Sequence, residues 1–203
     1  VDLKNVTVSG SFTKSLGNTV ISIKNAEYVT IKNMTFDDTY NGYNTIEIGE
    51  SGDVLSKSVL IEGCNFYGRV ASNAITIFGT QDSCVVNVNN CYFENVSNPI
   101  RVSNRTNVSS VYNITNCEVK KWDSNEEYGG LVVFQDYTSS TAEEAKENNL
   151  FGDGKIVVNV SGCSVPSGCD NSISSGKSQI AYIYWNVSGI VKDEAYFPIL
   201  NIY

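Results

Sequence analysis

The sequence predicts one all-β domain, a solenoid of about six coils whose parallel strands stack on one another, with one short helix in a loop. Three observations predict it. An octet recurs five times in 203 residues: VTIKNMTF (29–36), VLIEGCNF (59–66), VNVNNCYF (86–93), YNITNCEV (112–119) and VNVSGCSV (158–165). A second motif, Asn-x-Ile-x-Ile, lies between the octets. The octets start 30, 27, 26 and then 46 residues apart, and the second motif returns at steps of 25, 29, 25 and 31. A period of this size with short strands and little helix belongs to a solenoid, in which no coil buries its inner residues alone.

In chain order, VTVSGSF (6–12) is an imperfect sixth octet, and TVISI (19–23) is the earliest copy of the second motif. NTIEI (44–48), NAITI (73–77) and NPIRV (98–102) follow, with GGLVV (129–133) as a glycine variant whose Leu131 takes the central apolar place. Within the octet, positions one and three are apolar and two apart, so they point to one side of a strand. Position five is Asn33, Gly63, Asn90, Asn116 or Gly162, the residue types that a left-handed backbone position selects. Positions six and eight are again two apart, and position eight is Phe36, Phe66, Phe93, Val119 or Val165. Each octet therefore reads as strand, one-residue corner, strand.

The long 46-residue step holds YTSSTAEEAKENNLFGDGK (137–155). Ser140 or Thr141 followed three residues later by Glu143 or Glu144 is a capping box, and Gly152 is placed to stop the helix. This loop reads either as a functional excursion or as a shield over one face. Residues 1–177 form the repeating coils. The tail, 178–203, lacks the octet and is rich in Tyr, Ile and Trp, so it reads as strands that cap the open end. The chain has no Met at position 1 and no signal-like stretch, and reads as a mature form or a piece of something longer.

Hydrophobic content of 41% against 18% charged residues marks an ordered chain. A net charge of −8 argues against nucleic acid and anionic membranes as partners. The absence of histidine removes the commonest general base and metal ligand. Of six cysteines, Cys64, Cys91, Cys117 and Cys163 fall at octet position six below Met34, a column of buried, reduced thiols. Disulfides between adjacent rungs, or from Cys163 to Cys169, stay open on distance. No metal site is expected, because one residue per coil makes a line and not a tetrahedron.

VLIEGCNFYG (59–68) and VNVNNCYFENVSNPIRV (86–102) resemble coils of the right-handed, single-stranded parallel β-helix, the pectate-lyase-like superfamily. The resemblance spans roughly residues 1–190 and implies architecture more than activity. The superfamily includes polysaccharide lyases and hydrolases, phage tailspikes and appendages, and bacterial surface adhesins. Its hydrolases imply clustered Asp, a His and an Arg-x-Lys element; only the pair Asp37 and Asp38 answers, and it reads equally as a solvated turn. Its lyases imply acidic calcium ligands with a basic residue on one outer face. The outward column Ser22, Glu47, Thr76, Arg101, Val132 has no acidic cluster, so Glu47 and Arg101 read as solvated surface residues and Lys32–Glu62 as an exposed ion pair.

Aromatic residues carry the remaining chemistry. Tyr40, Tyr43, Tyr67, Tyr92 and Trp122, with Tyr128 and Tyr137, fall in turns, loops or outward positions, where rings stack on sugars, form interfaces or pack loops on the wall. The eight Asn-x-Ser/Thr triplets follow from composition. The expected function is a non-catalytic extracellular, cell-surface or virion-surface module, a rigid or glycan- or receptor-binding element without a cofactor. The alternatives are a polysaccharide lyase or glycoside hydrolase using Asp37 and Asp38, and a purely structural virion decoration protein. A homotrimer would favour the phage readings.

Overall fold

A computed structural model of the chain describes residues 6–12, 19–37, 44–49, 54–67, 73–96, 98–103, 106–121, 130–136, 138–166, 170–174, 179–185 and 194–203. For 6–12, 37, 170–174, 179, 181–185 and 194 it describes the backbone alone. The strands in chain order are β1 (Val6–Phe12), β2 (Thr19–Ile23), β3 (Tyr28–Asp37), β4 (Asn44–Ile48), β5 (Ser56–Glu62), β6 (Asn65–Tyr67), β7 (Asn73–Ile77), β8 (Thr80–Asn89) and β9 (Tyr92–Glu94). They continue as β10 (Asn98–Val102), β11 (Ser110–Thr115), β12 (Glu118–Lys121), β13 (Gly130–Asp136), helix α1 (Ala142–Asn148), β14 (Ile156–Ser161), β15 (Asp170–Ser174), β16 (Gln179–Trp185) and β17 (Ile199–Ile202).

The chain is a parallel β-solenoid. One stack runs β1-β3-β5-β8-β11-β14-β17, a second runs β2-β4-β7-β10-β13-β16-β15, and a short third face is built from the end of β3 with β6, β9 and β12. The second motif forms the second stack, so the apolar residues of its strands meet rung by rung: Ile21, Ile46, Ile75 and Ile100 share one column. The octet supplies the first stack before its corner and the third face after it. Three turns carry all three strands as separate elements, β5-β6-β7, β8-β9-β10 and β11-β12-β13, where six coils were expected. The flanking turns are incomplete: β3 passes its Asn33 corner as one element, and after β14 the third face is held by a single bridge, Glu118 to Ser164.

The corners follow the octet. Asn33, Gly63, Asn90, Asn116 and Gly162 all have positive φ, between 52° and 64°. A left-handed residue turns its N–H along the solenoid axis, where the next rung accepts it. Gly63 N–H donates to Asn89 O (3.0 Å), Asn90 N–H to Thr115 O (2.9 Å) and Asn116 N–H to Ser161 O (2.9 Å). The same turn leaves carbonyls facing the interior beside position six. The thiols of Cys91 and Cys117 each donate 3.4 Å to the carbonyl two residues earlier, which explains why a small weak donor recurs there. Beyond the corner, Phe36, Phe66 and Phe93 stack with centroids 4.9 and 5.1 Å apart and planes within 13°. On the outer side of the first stack an amide ladder runs from Asn201 to Asn159, Asn113 and Asn87, the first three each donating 2.9 Å to the Asn of the rung before and Asn87 accepting at the end.

Three further expectations are corrected. In β13 it is Val132, not Leu131, that pairs with Ile100, and Val133 that pairs with Arg101; the strand is buried on both faces, so alternation gives no register. Glu47 and Arg101 are only 6% and 7% exposed, not solvated. The Glu47 carboxylate accepts from Thr19 Oγ1 (3.1 Å), Ser22 Oγ (3.1 Å) and Asn44 Nδ2 (3.0 Å), and Arg101 lies over the Phe78 ring at 5.6 Å. Helix α1 ends at Asn149, left-handed with φ of 40°, rather than at Gly152. Of the described residues in the 178–203 tail, β16 lies between β13 and β15, and β17 is the last strand of the first stack.

At the start of α1, Thr141 Oγ1 accepts from Glu144 N–H (3.1 Å), while the Glu144 carboxylate reaches back to the Ser140 N–H (2.6 Å). Ala145, Leu150 and Phe151 are buried, and the Phe151 ring meets Phe134 edge-on at 5.5 Å, so this segment packs on the second stack. Thr141→Ala removes the cap and is expected to cost about 1 kcal/mol of helix stability. Hydrogen exchange of the α1 amides checks this: several-fold faster exchange there, with the β-rungs unchanged, is the expected result.

Candidate functional site on the third face

The third face is the place where the octet exposes polar and aromatic groups in register. Each short strand points its second residue inward, Phe66, Phe93 or Val119, and the residues on either side of it outward. Register places Tyr92 between Asn65 and Glu118, and Tyr67 opposite Glu94. Tyr67 and Tyr92 thus sit diagonally on adjacent rungs, with ring centroids 5.5 Å apart at 50°. The Tyr92 hydroxyl donates to the Glu94 carboxylate (2.8 Å). That bond holds the phenol proton, and the Tyr92 pKa is pushed up to about 12 by Glu94 together with partial burial.

A groove of about 320 Å³ runs beside this pair along the corner, lined by Asn33, Gly63, Asn65, Asn90, Tyr92, Asn116 and Glu118, with Cys91 at its base. Gly63 gives it depth: a Cβ at that position would stand 2.6 Å from Asn33 Oδ1. Asn33, Asn90 and Asn116 are exposed. The groove therefore offers amide donors and acceptors, one carboxylate and the side chain of Tyr92. Amides and a carboxylate beside an aromatic ring can supply hydrogen bonds and an apolar contact to a small polar ligand. Among the described residues no group of three or more Cys, Asp or Glu side chains is arranged to hold a metal ion.

Tyr67 and Tyr92 are the two sequence-selected aromatics that the structure brings together. Tyr40, Tyr43, Trp122, Tyr128 and Tyr137 lie outside the described residues, as do Asp38 and Cys169. Asp37 is described by its backbone, which pairs with Tyr67. Sequence reasoning treated the corner residues as architecture and passed over their second role, the amide lining of a groove. The signal was present in the Asn of position five and in the polar residues Asn65, Tyr92 and Glu118 of position seven.

The cysteine column is separate from this surface chemistry. Cys64, Cys91 and Cys117 are buried, Cys163 is half-buried, and all four are free thiols. The neighbouring thiols of Cys117 and Cys64, with burial, push the Cys91 pKa up. Cys117 and burial do the same to Cys163. Cys84, in a different column, is raised to about 12 by burial. Hydrogen bonds from the neighbouring thiols act the other way on two members, Cys163 and Cys91 lowering Cys117 and Cys91 lowering Cys64, so for these it is enclosure, which keeps a reagent out, that makes the thiol a poor nucleophile. Native protein treated with a maleimide is expected to label Cys163 first and Cys64, Cys84, Cys91 and Cys117 only after denaturation, read by peptide mass analysis. Rapid native labelling of Cys91 would refute this.

No protein-family model matches the chain. Searches of curated proteins and of solved structures likewise return no match. The class that the strands define is therefore carried by register alone: a parallel β-solenoid with one short helix.

Proposed function

We propose that this solenoid is a non-catalytic recognition module that binds a glycan along its third face. In this reading it is a right-handed β-helix of the pectate-lyase-like kind, displayed on a virion or bacterial surface as a phage appendage or adhesin element. The observation that carries it is the Tyr67–Tyr92 pair beside an amide-lined groove. Aromatic faces supply the apolar part of sugar binding, and fixed amides and carboxylates select hydroxyl positions. An in-register wall holds these groups without further ordering on binding, which lowers the entropy cost of association.

A glycan array, with mass analysis of every glycan that binds, tests it. The expected result is binding with the glycans intact. Tyr67→Ala or Tyr92→Ala should weaken it roughly tenfold, corresponding to about 1.4 kcal/mol per ring. Shortened glycans would replace this reading with hydrolysis or elimination and direct attention to Asp37→Asn and Asp38→Asn. Binding to no glycan would leave a structural role.

A further inference from the structure

We propose that Cys117 and Cys163 form an oxidation site, a thiol pair that a low-molecular-weight disulfide converts to a cross-link between the β12 rung and the rung after β14. The octet places these cysteines at position six, and the left-handed corner before it turns the side chain toward the interior. Stacking in register sets position six of one rung opposite position six of the next. For this pair the backbone fixes that alignment on both sides. Asn116 N–H donates to Ser161 O (2.9 Å), Ser164 N–H to Cys117 O (2.9 Å) and Val119 N–H to Ser164 O (2.8 Å). Strands paired in this way stand about 4.8 Å apart, and a disulfide joins Cα atoms roughly 4.4–6.8 Å apart.

Three observations single this pair out of the column. The first is the lean of the sulfur. Each thiol leans toward the carbonyl of octet position three on the rung before: Cys64 to Ile31 O at 3.9 Å, Cys91 to Ile61 O at 3.8 Å, Cys117 to Val88 O at 3.6 Å and Cys163 to Ile114 O at 3.5 Å. The contact is shortest for Cys163, whose Sγ also accepts the Cys117 N–H at 3.4 Å. The Cys117 and Cys163 thiols hydrogen-bond each other. The second is access. Cys163 is half-buried, whereas Cys64, Cys91 and Cys117 are at most 2% exposed. A reagent in solution meets Cys163 first and finds Cys117 behind it. The third is slack. The Cys64 and Cys91 rungs are tied by β6 and β9 over three residue pairs, while β12 meets the following rung through the single bridge Glu118 to Ser164. A rung held so lightly can bring two sulfurs to a bonding distance of about 2 Å.

The reaction needs an external disulfide, R–S–S–R, as oxidant. The Cys163 thiolate attacks one of its sulfurs, the S–S bond breaks, and one R–SH leaves with the proton that Cys163 gave up. The Cys117 sulfur then attacks Cys163 in the mixed disulfide, and the second R–SH leaves with the Cys117 proton. The protein loses two electrons and the external disulfide gains two. The Cys117 thiol and burial hold the Cys163 pKa up, so the first attack is slow and the reaction runs over hours. The cross-link closes a loop between positions 46 residues apart that holds β13 and α1, and this restricts the unfolded chain. Cys117 sits between Asn116 and Glu118, so the bond also pins that end of the groove. The site rests on the cysteine column and stands whether or not the groove binds a glycan.

Peptide mass analysis tests the proposal, on native protein incubated with oxidised glutathione, blocked with a maleimide in denaturant and digested without reductant. The expected product is a Cys117 peptide joined to a Cys163 peptide, two hydrogen atoms lighter than the separate pair and split by reductant. In Cys117→Ser the reaction should stop at a glutathione adduct on Cys163. Cys169→Ser should give the wild-type product. Oxidised wild type should unfold at a higher urea concentration than reduced, and that difference should vanish in Cys163→Ser. If a serine variant loses its strands by circular dichroism, the wild-type peptide map decides alone. A glutathione adduct that persists on wild-type Cys163 with Cys117 free, a Cys163–Cys169 link, or an unchanged Cys163 would each overturn the proposal.

Discussion

Phe66→Ala is expected to lower unfolding stability by about 3–5 kcal/mol, the range for truncating a fully buried aromatic side chain. Phe66 is enclosed in the middle of a stack, with Phe36 on one rung and Phe93 on the next, nearly parallel to both rings. Its removal exposes both neighbours to a void that the flanking β-rungs, tied by backbone bonds, cannot close. The solenoid makes the effect local and large: a rung touches its neighbours alone, so a gap at one rung uncouples the two halves. Urea titration followed by circular dichroism measures it. A second, earlier transition at the Phe66 level is a further expected sign, and a loss below 1 kcal/mol would show that the rings do not carry the third face.

Gly63→Val is expected to cost about 3 kcal/mol, from backbone strain and displacement of a neighbour. Gly63 has φ of +64°, and the added Cβ would collide with Asn33 Oδ1. A β-branched residue is among the poorest at such a position. Asn90→Gly is the matched control. Asn90 has φ of 52° one rung on, and glycine adopts that conformation freely, so stability should change by less than about 1 kcal/mol. The two variants also separate the roles of the corner, since Asn90→Gly keeps the fold but removes one amide from the groove. Under the proposed glycan-binding role, affinity should fall in that variant while its melting temperature holds.

The corners were legible in the sequence because a left-handed residue has few substitutes, and Asn or Gly recurring in one phase marks it. Paired apolar positions two apart gave the strand direction around each corner in the same way. The β13 register was not legible. Leu131, Val132, Val133 and Phe134 are all apolar because that strand is covered on both sides, and a slip of one residue leaves such a pattern unchanged. The burial of Glu47 and Arg101 was hidden for a related reason. Thr19, Ser22 and Asn44 satisfy the Glu47 carboxylate from neighbouring positions and rungs, and no spacing within NTIEI or NPIRV announces that. The candidate site was half legible. Tyr67 and Tyr92 read as outward residues, yet their diagonal contact depends on register, and the groove depends on which corners lack a side chain.

The phenylalanine stack, the cysteine column and the amide groove all depend on parallel strands in register across rungs. Cross-strand nuclear Overhauser contacts of Asn113 measure this most directly. Backbone contacts to Asn87 on one side and Asn159 on the other, 26 and 46 residues away, are expected in the parallel pattern. Contacts to a hairpin partner a few residues away, or an antiparallel pattern at this strand, would contradict it.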